Sequence, residues 1–135
     1  VDPLAPAAPA RNANARGGKA VFLPRPAEAS LRAALDELLP VGDVRLSDAP
    51  RVSGGSLSYL HKVCRDKHVY FFANSSDTPV NVQLQLRGKL SLEVWDPHSG
   101  KIAPAALTCV AEHGQDVTRT RLALGPVQSV FLKEN

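Results

Sequence analysis

From Leu57 onward, apolar and polar residues alternate with a period of two. Leu57, Tyr59, His61 and Val63 share one parity, and Ser58, Leu60, Lys62 and Cys64 the other. Val80, Val82, Leu84 and Leu86 alternate with Asn81, Gln83 and Gln85, and Leu90, Leu92 and Val94 with Ser91, Glu93 and Trp95. Successive side chains of a strand point to opposite faces, so these runs predict strands with one buried and one wet face. The run 68–74 differs. Val69, Phe71 and Ala73 alternate with Tyr70 and Phe72, so both faces are apolar, which predicts a central strand. Further strands are predicted over 107–111, 117–124 and 127–132. In the second of these, Arg119 and Arg121 face water while Thr120, Leu122 and Leu124 face in. Turn residues at 65–67, 75–79, 87–89, 96–100, 112–116 and 125–126 recur roughly every 8–12 residues, the rhythm of an antiparallel sandwich or barrel.

Before Leu57 the periodicity is helical. Leu31, Leu35, Leu38 and Leu39 fall at i, i+4, i+7 and i+8, one stripe of an amphipathic helix over 27–39. Pro26 suits its start, Glu28 favours its first turn, and Pro40 and Gly42 stop it. A short strand at 19–23 precedes it and another ends near 46. This strand–helix–strand piece is too small to bury both faces of anything. It is expected to pack on the rest of the chain or on another domain. Residues 1–18, with six alanines and three prolines and no periodicity, read as an extended linker. The predicted architecture is therefore mainly β. A linker (1–18) leads into a small strand–helix–strand α/β fragment (19–46), which precedes an antiparallel β-sandwich whose alternation begins at Leu57.

Composition narrows the chemistry. A chain of 135 residues with 44% hydrophobic residues can bury one ordinary core. Its 16 basic and 13 acidic residues are interspersed, with no block of five like charges. That argues against a polybasic surface for nucleic acid or membrane. No apolar run approaches ~18 residues, so no helical membrane span is predicted. The chain starts at Val1 with no leader-like pattern and reads as processed, or as cut from something longer. Cys64 and Cys109 are too few for a disulfide framework and lack metal-ligand spacing. Two half-buried thiols and a single cross-strand disulfide both remain open.

Five segments stand in a recognisable order. They are Gly18-Lys19, Tyr59-Leu60-His61-Lys62, Val69-Tyr70-Phe71-Phe72-Ala73-Asn74, Glu93-Val94-Trp95-Asp96-Pro97 with Gly100, and Gln128-Ser129-Val130-Phe131-Leu132. Together they resemble the C-terminal part of family 106 glycoside hydrolases, typified by α-L-rhamnosidases, over roughly residues 17 to 132. Lys62 and Val63 stand where that pattern has two arginines. The resemblance implies that residues 19–48 are the end of an α/β accessory domain and 49–135 a non-catalytic β-sandwich, which buttresses a catalytic (β/α) barrel absent from this chain. It implies a bacterial periplasmic or secreted setting, and the catalytic domain of the parent hydrolase as partner. The alternative is a free-standing carbohydrate-binding module that takes plant or bacterial glycans.

The residues present agree with a non-catalytic reading. Glycosidases need two positioned carboxylates. Asp66, Asp77, Asp96, Glu112, Asp116 and Glu134 fall in predicted turns, at strand edges or at the terminus, leaving Glu93 within a strand. No catalytic residue, cofactor or metal ligand set is expected. His61, His68, His98 and His113 share no ligand spacing. Three residues are candidates for contact with sugar or with a neighbouring domain. Trp95 sits on the polar parity of its strand, Tyr59 is its companion in a stacking platform, and His61 lies on the apolar parity. Asp96 is expected to accept backbone hydrogen bonds in its own turn, and Asn74 to cap the 75–79 turn.

Overall fold

The computed structural model describes residues 8–47 and 57–135. The chain divides into two compact units, Val1–Val41 and Gly42–Asn135.

The first unit is a hairpin and a helix. Strands β1 (Ala10–Ala13) and β2 (Lys19–Phe22) pair antiparallel, Ala10 opposite Phe22 and Ala13 opposite Lys19. Asn14 shapes their connection: its Oδ1 accepts the backbone N–H groups of Arg16 (3.0 Å) and Gly18 (2.8 Å). Gly17 takes φ +83° there, a left-handed conformation that glycine adopts without steric cost. Helix α1 spans Glu28–Leu38, with Glu28 in the first turn as expected. Leu39 N–H closes on Leu35 O at 2.8 Å before Pro40 ends the helix. Arg11 of β1 pairs with Glu37 of α1 at 2.9 Å.

Two features differ from expectation. The region read as linker contains β1, whose ARNA sequence has no alternation to betray it; its pairing is dictated by the turn and by β2. The leucine stripe is helical, but Leu31, Leu35 and Leu39 remain 47%, 46% and 55% exposed, while Ala34 is the buried residue of the helix. An eleven-residue helix beside two four-residue strands has too little surface to cover its own apolar stripe.

The second unit is the sandwich. Its elements are β3 (Val44–Ser47), β4 (Leu57–Cys64), β5 (Lys67–Asn74), β6 (Val80–Arg87), β7 (Leu92–Trp95), β8 (Ile102–Pro104), β9 (Thr108–Glu112), β10 (Gln115–Leu124) and β11 (Gln128–Glu134). A four-stranded sheet runs β3-β6-β10-β9 and a five-stranded sheet runs β4-β5-β11-β7-β8, with every pairing antiparallel. Strand β3 therefore belongs to the sandwich and not to the helical fragment: Val44 and Leu46 lie opposite Leu86 and Leu84. The boundary expected at 48/49 and the first seven residues of the expected linker lie outside the described residues. Strand β8 carried no sequence signal, because three residues ending in proline are too short to alternate; an edge position tolerates that proline.

The core lies between the sheets. Val80, Val82, Leu84 and Leu86 of β6 with Leu122 and Leu124 of β10 meet Tyr70 and Phe72 of β5, Val130 and Leu132 of β11 and Leu92 of β7. Each such side chain stabilises the fold by about 1.5–3 kcal/mol on full burial. Strand β5 is flanked by β4 and β11, and its outward Val69, Phe71 and Ala73 are half-buried too, which accounts for its two apolar parities. The β4–β5 hairpin turns through Arg65 and Asp66, both at positive φ (50° and 61°), as a two-residue type I′ loop requires.

Buried polar side chains tie the loops down. Asn74 is 2% exposed. It donates to Thr78 O and Gly125 O (both 2.8 Å) and accepts from Ser76 N–H (3.1 Å) and the Ser76 hydroxyl (2.7 Å). It caps the 75–79 turn as expected, and it also reaches the β10–β11 turn. Thr118 donates to Gly88 O (2.7 Å) and accepts from Leu90 N–H (2.9 Å), fixing the β6–β7 connection. Cys64 and Cys109 are free, exposed thiols on different sheets, so neither the half-buried nor the disulfide reading describes them.

Candidate functional site

The register decides which face each candidate occupies. Trp95 lies opposite Phe131, which lies opposite Phe71, which lies opposite Leu60; on the other side Trp95 lies opposite Ile102. One apolar row thus crosses all five strands on the sheet's outer side, opposite to core residues Tyr70, Phe72, Val130 and Leu132. Leu60 and Ile102 at its two ends are 53% and 55% exposed; Phe71, Phe131 and Trp95 are half-buried. Phe71 and Phe131 pack with ring centroids 4.8 Å apart. The outer side of the four-stranded sheet is the reverse. Gln85 donates to Glu112 (2.8 Å) and accepts from Arg119 (3.3 Å), Arg119 also pairs with Glu112, and Arg121 donates to Asn81 (3.0 Å). The arginines of that network are exposed, and Gln85 is buried beneath them.

Trp95 is already engaged. Its Nε1–H donates to Glu93 Oε2 (3.0 Å), and Lys133 Nζ sits over the ring, 5.4 Å from its centroid, a cation–π contact. Tyr59 lies on the opposite side of the same sheet, opposite Phe72 with ring centroids 6.0 Å apart. Tyr59 and Trp95 are not brought together, because the register puts Tyr59 on the inner side of the sheet with Phe72 and Trp95 on the outer side with Phe131.

His61 is also on the inner parity and sits at one end of the core. It lies opposite Tyr70, and the two rings stack at 4.1 Å and 16°. Both of its nitrogens have partners: Nδ1 meets Asp43 Oδ2 and Nε2 meets His68 Nδ1, each at 2.8 Å. Arg87 Nη2 stands 3.5 Å from the other oxygen of Asp43, and His68 N–H donates to Glu134 Oε2 at 3.0 Å. The Tyr70 hydroxyl is buried without a hydrogen-bond partner among the described residues. Burial, with the nearby Asp43 and Glu134 carboxylates, holds it in the neutral form, well above the ordinary tyrosine range. Sequence reasoning named both histidines but did not connect Asp43, Arg87 and Glu134 to them. They reach the pair from three other segments, and no local spacing connects them.

The Trp-Asp-Pro turn is self-contained. Asp96 accepts His98 N–H (2.8 Å) and the Ser99 hydroxyl (2.6 Å), and Gly100 closes the turn at φ +69°. The Ser99 hydroxyl, then the His98 N–H, hold the Asp96 carboxyl below the usual aspartate range. His98 in turn lies over the outer side, its Nε2 accepting Ser129 N–H at 3.2 Å. A cleft of ≈ 530 Å³ is lined by Val94, Pro104, Thr108, Arg119, Thr120 and Arg121 among others, but both arginines are held by the polar network described above. Among the described residues no group of three or more His, Cys, Asp or Glu side chains could hold a metal ion. No helix among them is long and apolar enough to cross a membrane.

A solved rhamnosidase from Novosphingobium sp. PP1Y superimposes on this chain with a TM-score of 0.63 at 20% identity. The chain is similar in fold to part of a rhamnosidase. The likeness covers 80% of this chain but 10% of the rhamnosidase chain, so the segment spans about a tenth of that protein's length. No protein-family model and no curated protein sequence matches.

Proposed function

We propose that this chain is a non-catalytic accessory β-sandwich region of a glycoside hydrolase resembling α-L-rhamnosidases, and that it buttresses a catalytic domain outside it. The observation that carries this reading is the fold likeness to one tenth of a rhamnosidase chain. The outer row of the five-stranded sheet supports it. A row of Leu60, Phe71, Phe131, Trp95 and Ile102 is a surface suited to a neighbouring domain, whereas the other outer side is charged and hydrogen-bonded within itself. The engagement of Trp95 by Glu93 and Lys133 favours a packed role over a free stacking platform. A periplasmic or secreted bacterial setting goes with the same reading.

The test is the mass of the protein in its native source, detected through residues 57–135. The reading expects a species far above the 14.4 kDa of this chain, with hydrolase activity residing in the remainder. A species at 14.4 kDa overturns it. In that case the second reading, a free-standing carbohydrate-binding module, takes its place, favoured by the indole at the outer side. Calorimetric titration with rhamnose-containing oligosaccharides then decides: no heat at millimolar sugar, or heat unchanged in Trp95→Ala, removes it.

A further inference from the structure

The two facing ring nitrogens of His61 and His68 are 2.8 Å apart, a hydrogen-bond distance that leaves room for one hydrogen between them. Each imidazole nitrogen either carries a proton and donates or lacks one and accepts. With both rings neutral, His61 Nδ1–H donates to Asp43, and its bare Nε2 accepts from His68 Nδ1–H. With one added proton, His61 is the imidazolium, donating to Asp43 and to a bare His68 Nδ1. With two added protons, N–H faces N–H and the contact cannot persist.

We propose that the Asp43–His61–His68 chain is a proton-counting latch, closed with zero or one added proton and opened by the second. The latch joins three segments: Asp43, directly ahead of β3 in one sheet, and β4 and β5 in the other. The backbone carbonyl of Asp43 also accepts Arg87 N–H at 3.0 Å, so this residue is fixed on the four-stranded side. Opening therefore loosens β4, an edge strand, from the residue that enters the sandwich. The groups facing the pair are Asp43 and Arg87 from the four-stranded side, Tyr70 stacked on His61, and Glu134 on the His68 backbone. None of them accepts a hydrogen from the gap between the two rings, so none relieves the clash. The chemistry is that of an acid-responsive element. Histidines charge between about pH 8 and 5, the range in which exported proteins meet acid surroundings.

The sign follows from proton counting. The unfolded chain accepts protons on both rings, whereas the latched fold accepts one. At the acid end of this window, where the unfolded chain carries the second proton that the latched fold refuses, folding stability therefore falls as pH drops, by up to about tenfold in the folding equilibrium constant per pH unit. The experiment is urea unfolding of the 135-residue chain from pH 8 to pH 5, beside His68→Gln. Glutamine cannot charge and can donate to, or accept from, His61 Nε2 in either of its states. The expected result is a stability loss on acidification in the parent that is absent in His68→Gln. Parallel pH curves overturn the proposal. If the variant does not fold, ring-nitrogen NMR of the parent decides. Only one of the two rings should become imidazolium while β4 amide protection lasts, and two imidazolium rings with protection intact overturn the latch.

Discussion

Asn74 is the side chain whose removal the structure makes most consequential for its size. It is 2% exposed and makes four hydrogen bonds, two donated to Thr78 O and Gly125 O and two accepted from Ser76. Its packing contribution is small, so the effect of Asn74→Ala is the loss of those bonds. At about 1 kcal/mol net each, with the abandoned groups buried, the fold loses about 3–4 kcal/mol. For a domain of this size that is a fall in Tm of roughly 12–16 °C. Circular dichroism melts measure it directly. The control is Asp77→Ala in the same loop, exposed and accepting from the neighbouring Thr78 hydroxyl, which is expected to change stability by less than about 0.5 kcal/mol. A second variant checks the sign of the electrostatics. Asn74→Asp sets a carboxylate against two carbonyl oxygens, so burial and the lost donors push its titration upward. Such a group destabilises when charged, and the variant should regain stability as pH falls, because the protonated acid donates again. A Tm change below about 4 °C for Asn74→Ala would falsify the claim that this residue joins the two loops.

Other outcomes follow from the same geometry. Thr118→Val keeps shape but strands Leu90 N–H and Gly88 O, so equilibrium unfolding in urea should show a loss of about 2–4 kcal/mol with an unchanged m-value. Replacing Arg65-Asp66 by Asn-Gly places residues that tolerate positive φ in the type I′ loop and should raise stability by about 1 kcal/mol; a lower Tm would contradict the turn assignment. Asp96 titrates below its ordinary range in the fold, so its contribution is present above the unfolded value and is lost as pH falls through the folded one. Asp96→Ala should therefore cost stability at neutral pH and begin to converge with the parent only as pH falls below about 4; a constant offset down to pH 2 would refute it.

The sequence by itself determined most strands of the sandwich, the helix and most turns. Period-two alternation in β6 and β7 and the two-sided β5 translate directly into buried and exposed faces, because side-chain direction in a strand depends only on parity. It also fixed that Trp95 and His61 differ in environment. Tertiary structure decided the rest. Strand β3 joined β6 and not the helical fragment, since a strand's partner is chosen by an edge that lies far away in sequence. Tyr59 and Trp95 proved to be on opposite sides of one sheet, which only the register across β5 and β11 could reveal. The leucine stripe of α1 gave its helix correctly but said nothing of what covers it. Asp43, 18 residues from His61 in the chain, became its partner because two sheets close over a shared core; pairings of that kind are set by packing, which no local pattern encodes.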